Sequence, residues 1–181
     1  MTEPIQKDSP SASTGRKAVV LVGHGAVARD CPREWVMRLK TLEAQRRGRG
    51  APATPEEHEL DGRIRDWPRT AENDPYRQGL EALAARLRPQ LRGARLVLAY
   101  NEFCAPALAS AIEALIAAGL TDISVVPSML TPGGVHSETD IPESIAPLRA
   151  RYPHAVLRYA WPVDLDLIAG MLGRHLDAFL G

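Results

Sequence analysis

The chain has 181 residues, with 22 lysines and arginines balanced by 22 aspartates and glutamates. That length suits one well-buried core rather than two ordinary domains, and balanced charge provides no global field to draw in nucleic acid or an anionic membrane. No apolar stretch approaches the roughly 18 to 20 residues that span a bilayer, and the N-terminus carries neither a basic start nor an apolar signal core, so a soluble, cytoplasmic protein is expected.

Residues 1–16, rich in Ser, Thr, Lys and Pro without an apolar period, read as a mobile tail, with folding from Lys17 onward. Apolar runs at 18–22, 96–100, 123–127 and 155–160 read as strands. None alternates strictly with polar residues, the pattern of strands covered on both faces by helices. Helical patterns occupy 34–45, 76–91, 106–119, 143–151 and 164–179. The third has Pro106 suited to its first turn, Leu108, Ile112, Leu115 and Ile116 at helical spacing, and Gly119 as its stop. Alternating strand and helix implies an α/β fold with a parallel four-stranded sheet and right-handed crossovers.

The spacing of the strands exposes an insertion. Their starts at 96, 123 and 155 lie 27 and 32 residues apart, whereas the first interval, from 18 to 96, is 78; a βαβ unit takes roughly 30. The surplus includes 46–75, whose breakers, charges and aromatic positions at Trp67 and, just beyond it, Tyr76 read as a solvated loop or, in the sharper version, a lid over a site.

Three residues stand just past strand ends, on the rim where an α/β sheet binds its ligands. His24 sits between glycines in GHGAVARD at 23–30; the glycines remove side-chain bulk and permit a sharp turn that faces the imidazole to the crevice. GxGxxG and GK[ST] are both missing from that loop, so it does not read as a nucleotide cradle. Glu102 lies in AYNEFCAP, where a carboxylate serves either the positive end of the following helix or a divalent ion opposite His24. His136 lies in SMLTPGGVHSETDIP at 128–142, where Pro132, Gly133 and Gly134 argue for a long bendable loop and Ser137, Glu138 and Asp140 offer oxygens and a helix cap. His58, His154 and His175 lack such settings and read as surface residues. The two cysteines, Cys31 and Cys104, are too few for a disulfide framework and lack zinc-knuckle spacing; they read as reduced structural thiols, with Cys104 near Glu102.

GHG after the first strand, NEFCAPAL after the second and VVPSMLTPGGVHSETDIP after the third together resemble the small type II chelatases, the sirohydrochlorin cobalto- and ferrochelatase family. The resemblance covers roughly 17–40 and 76–181. It implies a flavodoxin-like, three-layer chelatase fold, with the insertion absent from minimal members, and insertion of a divalent metal into sirohydrochlorin or a related tetrapyrrole. It also implies His24 and His136 as the active-site histidines, Glu102 as the metal-associated carboxylate, and a homodimer of single-length chains. No organic cofactor is expected, and the metal, Co²⁺ ahead of Fe²⁺ or Ni²⁺, is a substrate. A macrocycle of this kind needs an apolar floor and cations for its carboxylates, for which Met129, Leu130 and Val135, and Arg29 and Arg33, are the candidates. A non-catalytic carrier of metal or tetrapyrrole on the same fold is the alternative.

Overall fold

A computed structural model describes residues 17–181; the expected tail at 1–16 lies outside the described residues. Four parallel strands, β1 (Lys17–Gly23), β2 (Arg95–Tyr100), β3 (Asp122–Pro127) and β4 (Val156–Tyr159), form one sheet in the order β2-β1-β3-β4. The helices are α1 (Arg33–Arg49), α2 (Pro55–Arg65), α3 (Pro75–Leu87), α4 (Leu108–Ala117), α5 (Ile141–Arg151) and α6 (Leu165–Leu180). The order 2-1-3-4 is that of a flavodoxin-like sheet, with its crevice beside the central strand β1.

The central strands are apolar on both faces because both are covered. On one face, Ala18, Val20 and Val22 of β1 and Ile123 and Val125 of β3 pack with Leu108, Ile112 and Leu115 of α4 and Ile141, Ile145 and Leu148 of α5. On the other, Leu21, Leu96 and Tyr100 meet Leu80 and Ala84 of α3. Ile112, Ile123, Ile141 and Ile145 are fully buried, and each such side chain contributes about 1.5–3 kcal/mol of burial. No helix among the described residues is long and apolar enough to cross a membrane.

α4 starts at Leu108, not Pro106: the carbonyl of Pro106 instead accepts the Tyr100 amide at 2.9 Å, continuing β2 into its loop. Its end follows the expected Gly119 stop, with Gly119 at φ +79°, its amide on Ile116 O (2.9 Å) and the Leu120 amide on Leu115 O (2.9 Å). This pair of bonds satisfies the carbonyls that a helix end leaves open.

Residues 55–65, expected in a solvated loop or lid, form α2. Thr54 accepts the Glu57 amide while the Glu57 carboxylate accepts the Thr54 amide, a reciprocal cap, and Pro55 occupies the first turn. Leu60 and Ile64 of α2 join Ala28, Cys31 and Leu39 in a third apolar cluster, against which Trp35, Trp67 and Phe103 pack. α6 differs from every other helix in the sheet layers: none of its residues is buried, and Leu172, Leu176 and Phe179 stand exposed at 50%, 47% and 72%.

Candidate metal centre

The ladder between β1 and β2 does not stop with the strands. Beyond them the Asn101 amide donates to Gly23 O (2.9 Å) and the Glu102 amide to His24 O (2.8 Å), which fixes the two loops side by side. Gly25 lies at φ +91°, and a Cβ there would overlap the Glu102 carbonyl oxygen. A Cβ at Gly23 would fall 2.6 Å from Leu80 Cδ2, so the other glycine of GHG admits α3. The His24 amide donates to the Tyr76 hydroxyl at 2.7 Å, tying the same loop to α3.

His136 arrives from the other side of β1. The glycine-rich segment after β3 ends not in an extended loop but in one wide helical turn, His136–Asp140, that runs directly into α5. Wide turns of this kind recur at functional sites. The turn is held by Ser137, whose hydroxyl donates to Met129 O (3.2 Å) and whose carbonyl accepts the Tyr159 hydroxyl of β4 (2.8 Å). Burial pushes Tyr159 up to about 12, so its hydroxyl remains a donor at neutral pH.

His24, Glu102 and His136 are thereby brought together: each offers one ligand atom, and these atoms lie within 4.8 Å of one another. The two imidazoles meet edge to face, with centroids 4.7 Å apart. His24 Nδ1 contacts its neighbour's carbonyl, Gly25 O, at 2.7 Å. A carbonyl only accepts, so Nδ1 carries the proton and Nε2 has a free lone pair. His136 Nδ1 lies 2.6 Å from the Asp140 carboxylate, which by the same logic frees its Nε2. A carboxylate behind a ligating histidine is the usual device for fixing its tautomer and raising its basicity. Asn101 Nδ2 stands 2.8 Å from His136 Nδ1 and 3.3 Å from Asp140.

Glu102 does not serve the following helix, whose first turn begins six residues on. Its Oε1 accepts from Lys40 Nζ at 3.1 Å, and the same ammonium reaches Glu43 at 3.0 Å and sits 4.6 Å over the Phe103 ring. Burial disfavours the Lys40 charge, but its hydrogen bonds to Glu43 and Glu102 outweigh that and hold its pKa above the ordinary lysine value. Two concavities flank the centre. One, of about 460 Å³ and mainly apolar, has His24, Tyr76, Leu83 and Met129 among its walls. The other, of about 260 Å³ and mainly polar, includes Lys40, Glu43, Glu102 and Asp140.

The remaining expected residues are spread more widely. Met129 borders the apolar concavity, Leu130 is half-buried, and Val135 is 54% exposed. Arg29 and Arg33 are exposed and line a separate groove with Val27, Val36 and Met37. Cys31 and Cys104 are free and buried, and burial raises both thiols. Sequence reasoning missed Lys40, Asn101 and the pairing of Asp140 with His136; the last was visible as a histidine and an aspartate four residues apart, meaningful only once that segment is helical.

A flavodoxin-like sheet with a His, Glu, His cluster on its carboxyl rim defines an α/β protein suited to a divalent ion. The CbiX family model matches residues 71–174, and the chain belongs to that family. A sirohydrochlorin ferrochelatase of Bacillus subtilis (strain 168) is 33% identical over 69 residues, 38% of this chain and 26% of the relative. A sirohydrochlorin cobaltochelatase of Priestia megaterium is 37% identical over 66 residues, 36% of this chain and 21% of the relative. The matched stretch thus spans about a quarter of each curated relative. Among solved structures, a CbiX protein of Marinobacter aquaeolei VT8 assigned to cobalamin (vitamin B12) biosynthesis superposes with a TM-score of 0.50 at 17% identity, covering 91% of this chain and 98% of that one, a likeness of fold.

Proposed function

We propose that the protein inserts a divalent metal ion into sirohydrochlorin or a closely related tetrapyrrole. The observation that carries this reading is the convergence of two histidines with free Nε2 atoms and one carboxylate within 4.8 Å, beside an apolar concavity. The described activities of the curated relatives support it.

Insertion replaces two inner N–H protons of the macrocycle with one divalent ion, so the reaction needs an ion donor and proton acceptors. A neutral imidazole serves both ends, with a reference pKa near 6.5. His24 and His136 hold the ion and accept protons; Glu102 steadies the ion or passes a proton to water. Three mixed N and O ligands bind an exchangeable ion without caging it as a four-ligand structural site would. The macrocycle lies against Met129 and its neighbours Leu130 and Val135, and Arg29 and Arg33 meet peripheral carboxylates. Co²⁺ is the preferred ion in this reading, ahead of Fe²⁺ and Ni²⁺, on the family resemblance alone, because the intrinsic affinity order of the ions does not select it. The protein acts in the cytoplasm as a homodimer, for which the exposed apolar stripe of α6 supplies a face.

The test is an anaerobic absorbance assay with sirohydrochlorin and each ion, scored against the uncatalysed rate. Multiple turnovers in the native protein, abolished in a folded His136→Ala variant, are expected. Stoichiometric binding without turnover would replace the enzyme with a carrier, and near-normal turnover in His136→Ala would sink the assignment of that histidine.

A further inference from the structure

The segment between α1 and α3 supplies two arginines that no requirement of the sheet explains. Arg65, at the end of α2, donates from Nη1 to Cys104 O (3.1 Å) and Tyr100 O (3.4 Å) and from Nη2 to Asn101 O (2.9 Å), while Nε holds Asp61 (2.7 Å). Arg69 donates from Nη1 to Ala26 O (2.7 Å) and to Asp74 (2.7 Å), and from Nη2 to Phe103 O and Ile64 O (3.1 Å). Its side chain is 4% exposed, and that of Asp74 is 1%. The carbonyls of the residues immediately before and after Glu102 are therefore both taken by guanidinium groups. Arg69 also bridges to Ala26, two residues beyond His24.

We infer that Arg65 and Arg69 are positioning residues for the metal centre, Arg65 fixing the Glu102 loop and Arg69 joining it to the His24 loop; this rests on the reading of His24, Glu102 and His136 as the metal site. A guanidinium suits the task because its donors form a rigid planar fork and it accepts nothing, so each arginine can collect several carbonyls at once. The loop needs such support. Phe103 adopts φ +58°, a conformation costly for a residue with a Cβ, and such strain persists only where surroundings enforce it. The segment expected as a lid is on this account a buttress: it acts through main-chain atoms of the two loops.

A merely structural role and a positioning role differ in what they do to ion affinity. Co²⁺ titration of the full chain, followed by its absorption bands, is compared for the native protein, Arg65→Met, Arg65→Lys, Glu102→Ala, Glu102→Ala with Arg65→Met, and His24→Ala. Thermal unfolding identifies the folded variants. Arg65→Met should weaken Co²⁺ binding about 10-fold to 100-fold, the range for residues that orient metal ligands, and Arg65→Lys should recover part of it. In the Glu102→Ala background Arg65→Met should cost nothing further, because its effect passes through Glu102. Native-like affinity in Arg65→Met, or a full additional loss in the double variant, would overturn the inference while leaving the metal site intact. Unchanged Co²⁺ binding in His24→Ala would instead remove the site on which both readings stand. Should Arg65→Met not fold, Arg65→Lys carries the same cycle.

Discussion

Gly25 is the position where one methyl group would do most harm. Its φ of +91° lies in a region that L side chains rarely adopt, and the added carbon would collide with the carbonyl of Glu102. Backbone strain of this type costs about 1–3 kcal/mol before any clash. Gly25→Ala should therefore lower the thermal unfolding midpoint and weaken Co²⁺ binding together; an unchanged protein on both counts would contradict the geometry. Asp140 makes a sharper case because it acts on one proton. With the carboxylate present, His136 Nδ1 donates to it at 2.6 Å. In Asp140→Ala that acceptor is lost, so nothing holds the proton on Nδ1 and the tautomer protonated at Nε2, the nitrogen proposed to bind the ion, becomes populated. Co²⁺ affinity should fall about 10-fold to 100-fold while the unfolding midpoint changes little, measured by titration and calorimetry. His24, Glu102 and His136 could be read from the sequence because each follows a strand end flanked by breakers, a local signal. Lys40, 62 positions before the glutamate it meets, leaves no local trace.

At the scale of elements, the central strands were visible because strands covered on both faces are largely apolar runs, and the edge strand β4, despite exposed Arg158, through Val156, Leu157 and Tyr159. α2 was obscured for the opposite reason: only Leu60 and Ile64 face its apolar cluster, and Glu57, though buried, is a carboxylate. The signal that existed was the TPEE start, a capping box with proline in place. That cap has a pH signature. The amide of Thr54 and then the Arg46 guanidinium hold the Glu57 carboxyl below its ordinary value. A depressed carboxylate contributes stability above its unfolded value, and the contribution is lost as pH falls through the folded one. Glu57→Gln should therefore melt at a lower temperature than the native protein at neutral pH, with the difference shrinking below about pH 4. A difference independent of pH would show that charge is not what the cap uses. His136 was misread at the same scale: the glycines before it predicted a bendable loop, but the helical turn that leads into α5 begins at the histidine itself and is anchored through the Ser137 carbonyl by Tyr159.

Across the whole molecule, the sheet leaves β4 at an edge, with Val156 49% exposed, and α6, which follows it in sequence, keeps its apolar stripe open. A stripe of leucines and a phenylalanine on one helix is the face that the proposed homodimer would use. With a second copy as its occupant, Leu172→Glu combined with Leu176→Glu should halve the mass measured by light scattering without disturbing Co²⁺ binding. A native chain that is already monomeric at high concentration would rule the dimer out. The bonds that carry the β1 and β2 ladder past the strand ends to Gly23, His24, Asn101 and Glu102 have a thermodynamic consequence as well. The loops of two of the three proposed ligands are paired by that ladder and tied by Arg65 and Arg69, so their ordering cost falls on folding and not on ion uptake. Ion uptake then acts as simple mass-action linkage: at a free concentration one hundred times its dissociation constant it adds about 2.7 kcal/mol to stability.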